Sequence, residues 1–469
     1  MKTVAIDIGT TAIKFVLYNQ QGEQLTACQQ RLTSYFGDNG AAYQWVEEIK
    51  QGIRQGIRQL CAGTITTCRI VLSTPMHTVI PLENQQFKQI FLWSDTQASQ
   101  VAARLKDTPK GLDYYQRTGT PIHPMSPLCK LCFFQEVNEQ WYHQITQWAD
   151  LKAVLMQWLT ERWVTDYSSA SASGLFNSQT MEWDAAILAD VQLTAKQLPD
   201  LVEPTTWFTL SPACAEDFQL THCQVMIGAS DGCFASYAAL YGGGTRATLT
   251  IGTSGAFRLL VNQRLIDPLG RFFCYYLTAN HWVIGGPTNN GGKVLDWLSR
   301  VYLTSETAIY QQLPTILAQT VPGARGVSFY PYLLGERAPF WDGQLTARFV
   351  GLDWRHEKAD LIRAGVEGIL FHLRLIGSLL PINKQPIAIS GGFFQLPELR
   401  QLAADSLNSP LLITSYNEPS DGAFLFSQAI QTIPSLNTAK FIYPDNEVSL
   451  VYDALFEKFI KGLPITEKK

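Results

Sequence analysis

Asp7 stands near the end of the apolar run Thr3–Ile8 and leads into Gly9-Thr10-Thr11, with Lys14 close behind. A glycine at such a turn lets the backbone approach a ligand. Successive N–H groups there form an anion-binding nest, and the threonine hydroxyls add donors. Asp7 is a candidate to hold Mg²⁺, which favours one or two carboxylates together with phosphates. Lys14 is placed to neutralise phosphate charge. The stretch is neither GxxxxGK[ST] nor GxGxxG, so its residues equally fit a glycine hairpin with a capping aspartate. Asp231 lies in Gly228-Ala229-Ser230-Asp231-Gly232, between an apolar strand and an Ala-rich helix. A carboxylate at the C-terminal end of a strand faces the region where α/β proteins bind ligands. There it can accept a proton from an attacking hydroxyl, or simply cap the helix. Gly252-Thr253-Ser254-Gly255 offers a second Gly-Thr turn, Gly285–Gly292 is dense in Gly and Asn, and Gly391-Gly392 leads from a strand into a helix. Paired glycines let a flat base or ribose lie on the backbone, or make a tight turn. Cys129 and Cys132 form a lone CxxC with no second pair to complete a zinc site. By itself, His77 in Ser73-Thr74-Pro75-Met76-His77 reads as structural. Lys468-Lys469 reads as a solvated end.

Strands and helices must position these residues. Thr3–Ile8, Ile13–Tyr18 and Leu25–Gln30 read as strands, with Gln20-Gln21-Gly22 closing a hairpin. Tyr43–Leu60 has helical spacing of apolar positions, and Ile70–Ser73 and Ile90–Trp93 read as strands. Ser126-Pro127 marks a helix start, with Ser as cap and Pro in the first turn. Gln224–Gly228 reads as a strand, Ile387–Ser390 as another, and Pro397–Leu407 as a helix. Strands alternating with helices argue for α/β layers. Ile8-Gly9-Thr10-Thr11-Ala12 is echoed by Ile251-Gly252-Thr253-Ser254-Gly255, about half a chain later, each copy set between two strands. The echo suggests two similar domains, with Gly242-Gly243-Gly244 as the boundary signal.

Composition narrows the class. The chain has 469 residues, 46% of them apolar and 16% charged, with 24 Phe, 18 Tyr and 12 Trp. That balance excludes a disordered chain, and the length suggests two or three domains. A formal net charge of −4 does not suggest a nucleic-acid binder. No run approaches the 18 or so apolar residues of a membrane span. The opening residues lack the apolar core of a signal peptide, and nine scattered cysteines do not form a secreted disulfide framework. The sequence therefore predicts a cytoplasmic protein with reduced thiols, no membrane and no nucleic-acid partner.

Taken together, Asp7-Ile8-Gly9-Thr10-Thr11, Trp93-Ser94-Asp95-Thr96, Gly228–Gly232, Gly252-Thr253-Ser254, Gly335-Glu336-Arg337-Ala338-Pro339 and Gly391-Gly392 resemble, in order, the FGGY carbohydrate kinases. Met125–Phe134 and the stretch from Ala347 to Glu367 are similar to longer signatures of that family, although Phe133 stands where Trp is usual and Gly365 replaces a small branched or Ala-like residue. The resemblance implies two actin-like, ribonuclease-H-like α/β domains, residues 1–244 for the sugar and the catalytic base and 245–469 for the nucleotide, with a nucleotide cleft between them. It implies that Asp231 is the base, that Asp7 lies near Mg²⁺ and the γ-phosphate, and that Thr10, Thr11 and Lys14 form the first phosphate loop. Gly252 and Thr253 match the second loop, Gly292 and Gly392 (beside Gly391) match nucleotide-lining positions, and Met76 and His77 match a sugar-contacting pair. The implied cofactors are ATP and Mg²⁺, and the family allows a homodimer. Pro331–Pro339 with Trp341-Asp342, Asn289–Gly292 and Thr165–Ser171 resemble the members that phosphorylate gluconate at its terminal hydroxyl. Phosphorylation of xylulose is the alternative, and a sugar-independent actin-like or chaperone-like ATPase a further one. Gln97 stands where relatives commonly carry Arg, which bears on substrate choice.

Overall fold

The computed structural model describes residues 1–61, 66–303, 308–383, 385–416, 418–436 and 440–463; Lys468-Lys469 lies outside them. The chain forms two compact units. The first comprises Met1–Gly242, Leu260–Val283 and Tyr416–Pro434, and the second Gly243–Leu259, Ile284–Ser415 and Ser435–Lys469.

In the first unit, β1 (Lys2–Ile8), β2 (Ala12–Tyr18) and β3 (Gln24–Arg31) form an antiparallel meander. After helix α1 (Val46–Cys61), β4 (Thr67–Thr74) adds parallel to β1. The segment predicted helical from Tyr43 begins one turn later, because Ala42–Trp45 forms a short strand whose Tyr43 and Trp45 rings pack edge to face. Ile90–Trp93 likewise shortens to Gln89–Phe91. The helices that follow include α2 (Pro127–Val137), α3 (Leu151–Thr160) and α4 (Tyr167–Ser171). Ser126 caps α2 and Pro127 occupies its first turn, while Asp150 and Asp166 cap α3 and α4. The unit's sheet then closes with β5 (Trp207–Thr209) and β6 (His222–Ser230), giving the order β5-β6-β4-β1-β2-β3, and α5 (Asp231–Tyr241) leaves the end of β6. The core on one side of the sheet joins Ile6, Ile8, Phe15 and Ile70 to Ile49, Ile53 and Ile57 of α1.

The second unit repeats the pattern. β7 (Ala247–Ile251) pairs antiparallel with β8 (Gly255–Val261), and β9 (His281–Thr288) lies beyond β8. Helices α6 (Gly292–Tyr302) and α7 (Lys358–Ser378) precede β10 (Ile387–Ser390), which adds parallel to β7. Helix α8 (Pro397–Leu407) leads to β11 (Leu411–Ile413), parallel to β10. The order β9-β8-β7-β10-β11 reproduces β3-β2-β1-β4-β6, so the short echo in the sequence marks two copies of one α/β sheet plan. No helix among the described residues is long and apolar enough to cross a membrane.

Helix α1 carries two glycines on its sheet-facing side. A Cβ on Gly56 would stand 2.2 Å from the Phe15 ring, and one on Gly52 would stand 2.9 Å from Ile13 Cδ1. Helix propensity alone favours alanine by about 1 kcal/mol, but overpacking a tight contact costs about 1–3 kcal/mol. Gly56→Ala is therefore expected to lower the thermal unfolding midpoint, and a raised midpoint would refute the packing account.

Candidate active site

Asp7 is the penultimate residue of β1. Its register partners are Lys14 on β2 and Ser73 on β4. Parallel pairing sets Asp7 and Ser73 side by side, and the Ser73 hydroxyl donates to Asp7 Oδ1 at 2.7 Å. The turn after β1 is closed by Gly9 N–H to Ala12 O at 3.0 Å. The Thr10 carbonyl accepts from Gln44 Nε2 at 2.7 Å and Ser34 Oγ at 3.0 Å, and the Thr11 carbonyl accepts from Leu32 N–H at 2.9 Å. Since a peptide is planar and trans, the Thr11 N–H points opposite to the fastened Thr10 carbonyl. Lys14 reaches Glu418 at 2.6 Å, and both side chains are about half exposed.

Asp231 is reached through an irregularity in β6. Met226 pairs with Val71 and Ala229 with Ser73, so β6 holds one residue more than β4 over that span. Gly228 absorbs it at φ +71°, and a Cβ there would lie 2.0 Å from Leu72 O. Ser230, rather than Asp231, occupies the N-cap of α5, which leaves Asp231 in the first helical turn with Oδ1 accepting from Gly232 N–H at 2.6 Å. Burial pushes the Asp7 carboxyl up to about 7, and the negative charge of Asp231 adds to this against the opposing pull of Ser73 and Lys14. Two carboxylates near enough to feel each other's charge are a hard-oxygen donor set of the kind Mg²⁺ takes, so the residues present fit that ion.

Met76 and His77 follow β4. His77 has φ +64°, a backbone state that costs a non-glycine residue of order 1 kcal/mol. Its Nδ1 lies 2.7 Å from Ala172 O, which can only accept, so Nδ1 carries the proton and Nε2 turns toward Tyr275. Met76 packs with the cluster that holds Phe273 and Tyr275. The cavity beside Met76 and His77, lined also by Trp148 and Thr165, is only about 40 Å³, far smaller than a ligand pocket of roughly 300 Å³ or more. Asp95 is buried with its carboxylate accepting from the N–H groups of Ala42 and Gln97, so in this chain it organises a loop. Gln97 takes part through that N–H. Cys129 is buried in α2 and Cys132 partly so.

In the second unit, the turn between β7 and β8 is fastened to the start of α6. Gly292 N–H donates to Gly252 O at 2.7 Å, and Lys293 N–H donates to Thr253 O at 3.1 Å. Gly391, at φ +99°, lies so close to β7 that a Cβ would meet Ile251 O at 2.2 Å. A Cβ on Gly252 or Gly392 would meet nothing within 4 Å, so their bare backbone faces open space. The Gly291-Gly292 segment is anchored by Glu336, which is fully buried. Its carboxylate accepts from Thr288 Oγ1 at 2.6 Å, Asn290 Nδ2 at 2.9 Å, Asn289 N–H at 3.1 Å and Arg337 N–H at 2.7 Å, with His372 Nε2 at 3.1 Å.

Sequence reasoning did not single out Ser73 as a partner of Asp7, nor the buried Lys152–Asp166 pair beneath the ends of β4 and β6. The Ser73 contact follows once β1 and β4 are set in parallel register. A buried lysine leaves no such signal, because its residue type predicts exposure.

The model of the FGGY family of carbohydrate kinases, N-terminal domain, matches residues 2–238, and that of its C-terminal domain matches residues 247–421. A gluconokinase of Bacillus licheniformis is 34% identical over 435 residues, spanning 89% of this chain and 85% of that protein. The solved structure of a ligand-bound xylulose kinase from Lactobacillus acidophilus superposes with a TM-score of 0.91 at 28% identity, covering 98% of this chain and 97% of that one. A gluconate kinase structure from the same organism superposes at 0.90 and 29% identity, with the same coverage. Both structures share the two-domain α/β plan.

The raised Asp7 carboxyl carries a stability consequence. The ligand-free folded chain holds the Asp7 proton up to about pH 7, while the unfolded chain releases it near pH 4. Folding stability is therefore lost between those values as pH rises. Asp7→Asn keeps an acceptor for Ser73 and removes this loss. Relative to wild type, its thermal midpoint is expected to gain progressively from pH 4 to pH 8, by up to about 4 kcal/mol of stability. A difference independent of pH would show that Asp7 is not held protonated.

Proposed function

We propose that this chain, which belongs to the FGGY family of carbohydrate kinases, transfers the γ-phosphoryl group of ATP to the terminal hydroxyl of gluconate, giving 6-phosphogluconate. The family establishes a sugar kinase that uses ATP. The observation that carries the mechanism is the pair of carboxylates, Asp7 and Asp231, set at the ends of β1 and β6 closely enough for the charge of one to raise the other.

In this reading Asp231 accepts the proton of the attacking hydroxyl as the new O–P bond forms and the bond from the γ-phosphorus to the bridging oxygen breaks, leaving ADP. Phosphoryl transfer depends mainly on positioning and on neutralising charge. Asp7 would hold Mg²⁺, which supplies positive charge to the phosphates. Thr10, Thr11 and Lys14 contact phosphate from the first unit. Gly252, Thr253, Gly292, Gly391 and Gly392 hold the nucleotide in the second, where the bare backbone at Gly252 and Gly392 accepts a flat ligand. Met76 and His77 contact the sugar, with Nε2 as the polar atom. Gluconate is favoured by the 34% identity to a gluconokinase over 89% of the chain. Xylulose is the second reading, supported by the equally close superposition on a xylulose kinase.

ADP release with Mg-ATP, measured across gluconate, xylulose, ribulose, glycerol and no sugar, tests the assignment. Turnover is expected to depend on gluconate. Turnover with xylulose alone would keep the mechanism and change the substrate, and equal release without any sugar would overturn the kinase reading. Asp231→Asn is expected to lower kcat by about 10²–10⁴, the range for loss of a general base. Full turnover in that variant would remove Asp231 from its role.

A further inference from the structure

Lys152 lies on α3 with no solvent exposure of its side chain. Its ammonium donates to the carbonyl oxygens of Ile227 at 2.7 Å, Leu72 at 3.2 Å and Ala229 at 3.2 Å, and Asp166 stands 3.4 Å away, equally buried. Replacing a buried ion pair by apolar side chains of similar volume is often neutral or stabilising. Stability alone therefore does not account for this one.

The carbonyls it engages point to its task. The extra residue in β6 interrupts the ladder with β4, and a bulge leaves backbone groups without ladder partners. Lys152 binds the acceptors on either side of Gly228 and the carbonyl of Leu72 facing them on β4. Leu72 directly precedes Ser73, the donor to Asp7, and Ala229 lies two residues before Asp231. Asp166 reaches the same place by another route. It caps α4 through Ser169 N–H at 2.9 Å, and Ser168 of that helix meets Ser230, with the hydroxyls 3.0 Å apart and Ser230 N–H donating to Ser168 Oγ at 3.3 Å.

We propose that Lys152, charge-paired with Asp166, is a positioning residue for phosphoryl transfer: it locks the bulge of β6 against β4 and so sets the placement of Asp231 relative to Asp7. The inference rests on the reading of Asp231 as proton acceptor. A displacement of about 1 Å at a reacting group can cost on the order of 10²-fold in rate.

Lys152→Met removes the charge and the donors at similar volume. In the folded variant, kcat of sugar-dependent ADP release is expected to fall about 10–100-fold, with KM for Mg-ATP within about twofold of wild type, and amide exchange across residues 226–232 is expected to rise. In an Asp231→Asn background the same substitution is expected to add little further loss, because residues acting as one unit are not additive. Unchanged kcat and exchange, or losses that multiply in the double variant, would overturn the proposal. Should Lys152→Met not fold, Asp166→Asn decides, since it keeps a capping oxygen for Ser169 N–H while removing the charge and the second acceptor, which takes the Ser169 hydroxyl at 2.6 Å. A fall of about tenfold in kcat is expected, and wild-type turnover would overturn the pairing. Absence of sugar-dependent turnover in the wild type, or full turnover in Asp231→Asn, refutes the kinase reading instead, and the exchange measurement then decides the structural role of Lys152 by itself.

Discussion

Two negative charges brought together in a poorly hydrated place repel, and the arrangement of the first unit around Asp7 and Asp231 answers that constraint. The Ser73 hydroxyl and the charge of Lys14 offset only part of the penalty on Asp7. Lys14, the nearest cation in register with Asp7, reaches Glu418 instead. Burial, with the negative charge of Asp231 added to it, pushes the Asp7 carboxyl up to about 7. In the proposed reading a hard divalent ion at Asp7 would relieve both the repulsion and the burial penalty. The surrounding structure must hold the two groups in place against that repulsion. Parallel register does so for Asp7, through Ser73, and a bulge fastened by a buried ammonium does so for Asp231.

The duplicated sheet plan shows what is scaffold and what is chemistry. In both units the first strand turns through a Gly-Thr sequence into an antiparallel neighbour and pairs in parallel with a later strand. The penultimate position of the first strand meets a serine across the parallel pair in each copy, as Asp7 with Ser73 and as Thr250 with Ser390. The contact is the same, but one copy carries a carboxylate and the other a hydroxyl. Only the first copy has an acid there. In the second copy the turn is fastened to the start of α6 and its glycines present bare backbone. One plan thus supports an acidic centre in one unit and open glycine backbone at Gly252 and Gly392 in the other.

Much of this was legible along the chain. Strands Ile387–Ser390 and the helix Pro397–Leu407 follow from short apolar runs and a proline at a first turn, and the structure has both at those limits. The helix beginning at Ser126-Pro127 follows from its cap chemistry. The start of α1 was less legible, since the apolar pattern from Tyr43 to Leu60 reads as helical while Tyr43 and Trp45, two positions apart on one short strand, pack their rings edge to face. The Gly-Arg-Pro-containing stretch around Glu336 could be recognised as a motif, but its task could not. Glu336 gathers the backbone and side chains of Thr288–Asn290, more than forty positions earlier, and so shapes the loop that leads to Gly292.

What the sequence determined by itself is local: where strands and helices fall, where a turn needs glycine, and which residue types stand at strand ends. Each of these depends on neighbours a few positions away, through side-chain periodicity, cap hydrogen bonds and permitted backbone angles. The tertiary structure decided the rest. It set Ser73 beside Asp7, placed Ser230 instead of Asp231 at the cap of α5, held His77 in a left-handed backbone state and buried Lys152 beneath two strand ends. These outcomes turn on strand register and on the loss of water around charged groups. Both are properties of residues distant in the chain and close in space, and no local pattern encodes them.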